Sequence, residues 1–272
     1  MYKDLFTIFG YTVQTHAVIS VIAILLGLGT ALTLTRKTIY HEHVYNFIYW
    51  GLIGAIIGAR LWHVFVFQWP YYSHHLGQII AIWEGGISIL GAIVGGAVAL
   101  IIYSIKHRLD FLDIADYFSP AMMLGMGVGR IACFFGGDAF GKPTGSEFGI
   151  IFPKGTIAYD TYGDQPLWPA VSWEIQADFV VFAILLYLFG KKLPKGLLFS
   201  IYLFLYGVVR FTVEFYRGDS DRFALDLTGG QWTALAFMLI GVVLAIFLLI
   251  LRPERPAKEI PDDKTIDTDQ LK

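Results

Sequence analysis

The sequence has little charge and almost no cysteine. Only 15% of its 272 residues are Asp, Glu, Lys or Arg, and 56% are hydrophobic, which is too apolar for a soluble domain of this length. The single cysteine, Cys133, excludes an internal disulfide and a cysteine-based metal cluster. A net charge of −2 without a basic cluster gives no indication of nucleic-acid binding. The polar stretch 1–15 lacks the apolar core of a cleavable signal peptide, so we expect the first apolar run to direct insertion.

Apolar runs of bilayer-spanning length are what the sequence does contain. We predict an all-α polytopic membrane protein with seven transmembrane helices and a structured outer loop, about 136–168, between helices four and five. One membrane domain is expected to cover 1–252, and the charged segment 253–272 is expected to form a disordered cytoplasmic tail. The predicted spans are 16–34, 44–66, 84–104, 112–134, 169–189, 196–216 and 231–251.

Lysine and arginine are unevenly divided between the two sides that these spans define. Twelve lie on one side and five on the other, and the cation-rich side of a membrane protein is usually cytoplasmic. The N-terminus is therefore predicted to lie outside and the C-terminus inside. The twelve are Arg36, Lys37, Lys106, Arg108, Lys191, Lys192, Lys195, Arg252, Arg255, Lys258, Lys264 and Lys272; the five are Lys3, Lys142, Lys154, Arg217 and Arg222.

Two outer segments are expected to have structure of their own. The segment 67–83 contains WPYY and a His pair, which suit the membrane interface. Within 136–168, the stretches FGIIF and IAY predict short strands. Glu84 is predicted to open the third span, which would place Leu90 almost two turns below the outer surface. Small residues of the same span favour close helix packing, namely Gly91, Gly95 and Gly96.

Charged side chains are predicted to converge in the outer half of the membrane. Three arginines lie inside spans, where each costs about 2.5–3.5 kcal/mol on an insertion scale. A helical face of the sixth span would bring further polar groups to the same level. The arginines are Arg60, Arg130 and Arg210; the acids at their level are Glu84, Asp138, Glu174 and Glu214; the polar face comprises Tyr206, Arg210, Glu214 and Arg217.

This cluster has two interpretations. The arginines and acids could form salt bridges that fix helix register, although buried ion pairs stabilise poorly compared with apolar side chains. Alternatively, the arginines could bind the phosphate of an anionic lipid, because a guanidinium matches phosphate with two parallel hydrogen bonds. Three arginines at one depth, beside a structured outer loop, favour the lipid site.

Seven short motifs carry a family resemblance. They are GARL (58–61), WEGGISILGAIVGG (83–96), DYFSP (116–120), GRIACFFGGDAFGKPT (129–144), WPAVSWE (168–174), YGVVRFTVEFYRGD (206–219) and GGQW (229–232). Together they make the sequence, over about residues 9–250, similar to the prolipoprotein diacylglyceryl transferase family.

The resemblance implies an enzyme of the bacterial plasma membrane that needs no metal or cofactor. Its partners would be phosphatidylglycerol and an exported preprolipoprotein, whose lipobox cysteine would receive the diacylglyceryl group while glycerol phosphate leaves. The matching arginines, Arg130 and Arg210, would hold the phosphate. The predicted substrate-binding residues are Arg60, Arg130, Tyr206, Arg210 and Gly141; the predicted catalytic residues are His16, Asp138, Glu174 and Glu214.

Several positions depart from the family pattern. The usual histidine of the third span is Leu90, and the usual tyrosine of the first span is His16. Trp168 replaces a histidine, Cys133 an asparagine and Asp138 a glutamate. The residues that would bind the phosphate therefore match the family pattern more closely than those that would activate the thiol.

The group that takes the thiol proton is left open by these departures. His16 is the leading candidate, because histidine titrates near neutral pH, and the alternatives are Glu84, Asp138 and Glu174. Three functions are compatible with the sequence: the family reaction with a shifted base, a related transfer to another acceptor, or phosphatidylglycerol binding without catalysis.

Overall fold

The computed structural model of the protein describes residues 4–8, 11–222 and 224–251. Seven of its helices are long and apolar enough to cross a membrane, which confirms the prediction of an all-α polytopic membrane protein. The predicted tail, 253–272, lies outside the described residues. In chain order the helices are α1 (Thr15–Thr35), α2 (Val44–Trp62), α3 (Trp69–Tyr72), α4 (Ile89–Lys106), α5 (Phe111–Gly136), α6 (Ile157–Tyr162), α7 (Ala170–Phe189), α8 (Leu197–Glu214) and α9 (Gly229–Leu251).

The third span begins later than predicted. Glu84 does not open it but belongs to a short 3₁₀ turn, Ile82–Glu84, and α4 starts only at Ile89 after its N-cap Ser88. The cause lies in Gly85 and Gly86, whose backbones have φ of 85° and 71° and therefore leave the helical region. Leu90 accordingly lies in the first turn of α4, 41% exposed, and not almost two turns into the third span.

The segments between the membrane helices contain less strand than predicted. IAY is the start of helix α6, not a strand, because Thr156 caps that helix by accepting a hydrogen bond from the Tyr159 amide. FGIIF contributes only an isolated bridge, Ile150 to Leu167. The regular strands of the described residues are β1 (Asp4–Ile8) and β2 (Tyr11–Gln14), an antiparallel pair before α1 that we had not predicted.

Glycines bring α2 and α4 into backbone contact. A Cβ atom on Gly58 would lie 2.4 Å from the Gly91 carbonyl oxygen, and one on Gly95 would lie 2.4 Å from the Gly54 oxygen. Such contact is typical of membrane helices, which gain stability from packing and not from excluding water. The packing role predicted for Gly91 and Gly95 is therefore confirmed.

Helix α5 lies at the centre of the bundle and packs against α1, α7 and α8. Its Asp116 carboxylate accepts hydrogen bonds from the amides of Gly196 and Phe199, at 2.8 Å each. These amides open α8, so α5 fixes where α8 begins. Because both helices run toward the same end of the bundle, Arg130 of α5 and Arg210 of α8 come to lie side by side there.

Candidate active site

The glycines after Arg130 end helix α5. Gly137 adopts the left-handed conformation (φ 74°, ψ 25°), and the amides of Gly137 and Asp138 donate to the carbonyls of Phe134 and Cys133. This is the usual glycine-dependent helix C-terminus. A Cβ on Gly137 would also lie 2.5 Å from the Thr156 Cβ. The turn therefore requires glycine both for its left-handed conformation and for the close approach of Thr156. Arg130 thus lies less than two turns before a sharply defined helix end.

Glu174 of α7 is the centre of an ion-pair network. Its Oε1 lies 2.9 Å from Arg130 Nη2 and 3.3 Å from Arg210 Nη1. Its Oε2 lies 3.7 Å from Arg217 Nη1. The structure therefore brings together three guanidinium groups, from α5, from α8 and from the segment after α8, around one carboxylate.

Glu214 is the second acid of the network, at the end of α8. It pairs with Arg210 at 2.8 Å and accepts a hydrogen bond from the Thr228 hydroxyl, also at 2.8 Å. Thr228 and Gln231 in turn form a capping box at the start of α9, each side chain accepting from the other's amide. A Cβ on Gly230 would lie 2.8 Å from the Glu214 carboxylate, which explains the glycine of the GGQW motif.

Arg217 belongs to the same network. The sequence placed it only on the polar face of the sixth predicted span, whereas in the structure it lies just after α8. It pairs with Asp219 through two nitrogens, at 2.9 and 2.5 Å, and its side chain is only 8% exposed. Burial alone would lower the pKa of Arg217, but the carboxylates of Asp219, Glu174 and Glu214 outweigh it and raise that pKa. Arg217 therefore remains charged and ties Glu174 and Glu214 to Asp219, in the segment after α8.

Asp178 was missed by the sequence analysis. It follows Glu174 by one helical turn on α7 and is equally buried, at 1% exposure. Among the described residues neither of its carboxylate oxygens has a hydrogen-bond partner, and its Cβ packs against Gly127 of α5. An acid four residues from Glu174 on the same face of an apolar span was the sequence signal for it.

Gly141 and Tyr206, two of the predicted substrate-binding residues, have packing contacts in the structure. A Cβ on Gly141 would lie 2.1 Å from the Trp168 carbonyl oxygen, and Gly141 pairs with Arg217 in an isolated antiparallel bridge. Gly141 thus joins the loop that follows α5 to the segment that carries Arg217. Tyr206 lies one turn before Arg210 and stacks on Tyr202, with ring centroids 6.2 Å apart.

His16 and Asp138 both lie near Gly136, at the end of α5. From the position that a Cβ would occupy on Gly136, the Asp138 Oδ2 lies 3.0 Å away and the His16 Cδ2 lies 3.4 Å away. His16 is exposed in the first turn of α1, and Asp138 is half-buried. Asp138 also lines a pocket of about 390 Å³, together with residues of α6 and the segment 218–221.

Arg60 does not join the other two arginines. It is 4% exposed, and its guanidinium donates to four backbone carbonyls. The guanidinium also lies over the Tyr72 ring, 5.1 Å from its centroid. Arg60 therefore holds the segment between α2 and α4 in place. Its four acceptors, at 2.6–2.9 Å, are Gln78, Ile79, Gly85 and Gly86.

Exposure differs sharply between the cations and the acids of the network. The side chains of Arg130 and Arg210 are 22% and 15% exposed, whereas those of Glu174 and Glu214 are 1% exposed. A molecule that reaches the site therefore meets the guanidinium groups first, with the acids behind them. This arrangement suits an anion such as phosphate, which arginine binds through paired hydrogen bonds.

Known proteins resemble the chain over most of its length. The sequence model of the prolipoprotein diacylglyceryl transferase family matches residues 3–247. Phosphatidylglycerol–prolipoprotein diacylglyceryl transferase of Finegoldia magna is 33% identical over 243 residues, which are 89% of this chain and 93% of that protein. The enzyme of the same name from Acaryochloris marina is 33% identical over 264 residues, 96% of this chain and 94% of that one. The Nitrosomonas europaea enzyme is 32% identical over 225 residues, 80% of this chain and 78% of its own.

Proposed function

This chain belongs to the prolipoprotein diacylglyceryl transferase family, and from that premise we propose that it transfers the diacylglyceryl group of phosphatidylglycerol to the lipobox cysteine of a prolipoprotein. The other product is glycerol phosphate. The names of its relatives favour this reaction over transfer to another acceptor and over lipid binding without catalysis.

The difference in exposure between arginines and acids is the observation that carries the proposal. Arg130 and Arg210 present their accessible edges to the lipid phosphate, while Glu174 and Glu214 hold them from behind. Arginines fixed in advance need little reorganisation when charge develops on the leaving phosphate, which is where such groups accelerate a reaction. The substrate supplies the nucleophile, so the chain needs none of its own.

The reaction exchanges one bond for another. The cysteine sulfur attacks the carbon of the diacylglycerol unit that is bonded to the phosphate oxygen. A sulfur–carbon bond forms, and the bond between that carbon and the phosphate oxygen breaks. The electron pair of that bond leaves with glycerol phosphate, whose charge Arg130 and Arg210 stabilise. The thiol proton passes to a base, for which we propose His16, because it lies near Gly136, at the end of the helix that carries Arg130.

The seven apolar helices and the family indicate a multi-pass protein of the bacterial inner membrane. We propose that its N-terminus lies outside and its C-terminus in the cytoplasm, as the distribution of lysine and arginine favours. The site then lies at the outer surface, where an exported substrate arrives. We further propose that residues 1–252 form one membrane domain.

Complementation tests the proposed function in a cell. A strain depleted of its own transferase should regain lipoprotein processing, seen as a mobility change on gels, when it expresses this chain. The Arg130→Gln variant, expressed at the same level in the membrane, should not restore it. Failure of the wild-type chain at normal expression would favour phosphatidylglycerol binding without transfer.

A further inference from the structure

A polar pocket lies where two paired segments of the chain separate. The Gly218 amide, after α8, donates a hydrogen bond to the Phe140 carbonyl, after α5, at 3.0 Å. Within the described part of the chain, no backbone hydrogen bond continues this pairing to residues 138–139 and 219–220. These residues instead line a pocket of about 390 Å³, whose wall helix α6 completes.

Close backbone packing holds the pocket in shape. A Cβ on Gly218 would lie 2.9 Å from the Gly141 carbonyl oxygen, so the two segments approach as closely as glycine allows. The Tyr162 hydroxyl, at the end of α6, donates to the Gly218 carbonyl at 3.2 Å and ties α6 to the same segment. A ligand that enters such a preformed pocket loses little free energy to ordering of the protein.

Backbone groups in the wall of the pocket are available to a ligand. The amides and carbonyls of Asp219 and Ser220 make no backbone hydrogen bond to the other residues that the structure describes. An extended peptide can pair with such groups through its own main chain, while a pocket receives its side chains. The pocket therefore suits a short polypeptide segment.

The pocket adjoins the proposed reaction site at two points. Asp138, in its wall, and His16, the proposed base, both lie near Gly136. Asp219, also in the wall, pairs with Arg217 of the ion-pair network. A segment of the acceptor that binds in the pocket would therefore hold its cysteine near the base and near the arginines.

The chemistry of the pocket distinguishes the two sides of the acceptor cysteine. An exported precursor has an apolar signal segment before that cysteine, and apolar side chains do not suit a pocket lined by carboxylates and hydroxyls. The residues after the cysteine, which enter the aqueous phase with the exported protein, do suit it. Of the three carboxylates only Asp219 has an ion-pair partner among the described residues, so the other two favour a basic side chain over an acidic one. The polar side chains of the pocket are Asp138, Thr161, Asp219, Ser220 and Asp221.

We infer that this pocket binds the residues that follow the acceptor cysteine, an inference that rests on the proposed function. The segment lies extended in the pocket, with its main chain against Asp219 and Ser220 and a basic side chain near Asp138 and Asp221. The arginines then hold the lipid phosphate while the pocket holds the acceptor. Two substrates fixed side by side react faster than two that must meet by diffusion.

Acceptor peptides that differ only after the cysteine test the preference for charge. Three lipobox peptides carry Lys, Gln or Glu at the second and third positions after the cysteine, and transfer from phosphatidylglycerol is measured with the purified chain at low salt. We expect kcat/KM to be about fivefold higher for the Lys peptide than for the Glu peptide, with the Gln peptide between them and a smaller difference at high salt. Equal values for the three peptides would overturn the inference.

Two matched variants locate the effect in the pocket. Asp221→Asn removes a carboxylate from the wall and should reduce the Lys-to-Glu ratio of kcat/KM from about fivefold to about twofold. Asp164→Asn makes the same change at an exposed acid outside the pocket and should leave the ratio as it is in the wild type. An equal fall in the two variants would assign the preference to net charge and reject the pocket.

Thr161→Tyr separates acceptor binding from lipid binding. Thr161 is exposed on α6, so a tyrosine there adds bulk to the pocket while the ion-pair network keeps all of its residues. The KM for the Lys peptide should rise about fivefold, and the KM for phosphatidylglycerol should not change. A rise in the KM for phosphatidylglycerol alone would assign the pocket to the lipid headgroup and overturn the inference.

Photo-crosslinking to the wild-type chain separates failure of this inference from failure of the proposed function. The probe is the Lys peptide with Cys→Ser and a photo-leucine directly after the serine, so its binding does not depend on transfer. Labelling should fall on fragments that contain 138–141 or 217–221, and excess Lys peptide should compete. Labelling there in a preparation that transfers no lipid would reject the transferase and leave the pocket standing. Active transfer with labelling elsewhere would reject the pocket and leave the transferase standing.

Discussion

Glu174 and Asp178 offer a matched test of the ion-pair network. They lie one turn apart on α7 and are equally buried, yet only Glu174 pairs with arginines. Glu174→Gln keeps the shape of the side chain and removes its charge. The remaining carboxylates of the network are then Glu214 and Asp219, against three guanidinium groups. Asp178→Asn makes the same chemical change where no ion pair exists among the described residues.

The expected loss of stability follows from the burial of these groups. Removing one partner of a buried ion pair costs about 3–5 kcal/mol. Arg130 and Arg210 keep some solvent exposure, at 22% and 15%, so we expect the lower end, about 3 kcal/mol. For a chain of this size each kcal/mol lowers Tm by about 2–4 °C, so Glu174→Gln should lower Tm by about 6–12 °C. Asp178→Asn should change Tm by no more than about 2 °C, because a buried acid without a hydrogen-bond partner contributes little stability.

Thermal unfolding of the two purified variants in one detergent, followed by intrinsic fluorescence, measures the difference. Each variant is compared with the wild-type chain from the same preparation. Equal decreases in Tm, or a larger decrease for Asp178→Asn, would refute the assignment of Glu174 as the anchor of the arginines.

Four further predictions follow from the site and the proposed topology. Arg130→Lys should weaken phosphatidylglycerol binding about tenfold, since lysine keeps the charge and loses the paired hydrogen bonds; unchanged binding with a lower Tm would make Arg130 structural. His16→Ala should abolish transfer while Leu90→His changes it little, measured with a labelled lipid donor; full transfer by His16→Ala would move the base to Asp138, Glu174 or Glu84. Arg60→Gln should leave the affinity for phosphatidylglycerol unchanged but expose the segment 68–88 to protease, because the carbonyls of that segment lose their hydrogen bonds to the guanidinium. Weaker binding would show that Arg60 contributes to the lipid site. A periplasm-active reporter fused to the C-terminus should be silent, and an active one would reverse the proposed topology.

The seven membrane helices were predictable because apolar length is a property of the sequence itself. The late start of α4 was not predictable. It depends on the positive φ angles of Gly85 and Gly86, but glycine is also frequent inside membrane helices, so the two residues did not indicate a helix boundary. IAY illustrates the same limit, because a strand-like triplet becomes helical once Thr156 caps it.

The arginine site was predictable in part. The depth of Arg130 and Arg210 in their spans indicated that they would meet, and the structure places both against Glu174. Depth also grouped Arg60 with them, but depth does not give the direction around the bundle. Arg60 instead faces carbonyls of the segment between α2 and α4. Asp178 was not predicted, although it lies one turn from Glu174 on the same helix.

The most direct test of the proposed function is transfer by the purified chain. The purified 272-residue chain is incubated with phosphatidylglycerol and a peptide that contains a lipobox cysteine, and the peptide is analysed by mass spectrometry. A mass increase equal to one diacylglyceryl group on the cysteine, with release of glycerol phosphate, is the predicted result. It should be absent with phosphatidylethanolamine as donor, with a Cys→Ser peptide and with Arg130→Gln. An unmodified peptide, from a preparation that binds phosphatidylglycerol, would contradict the account.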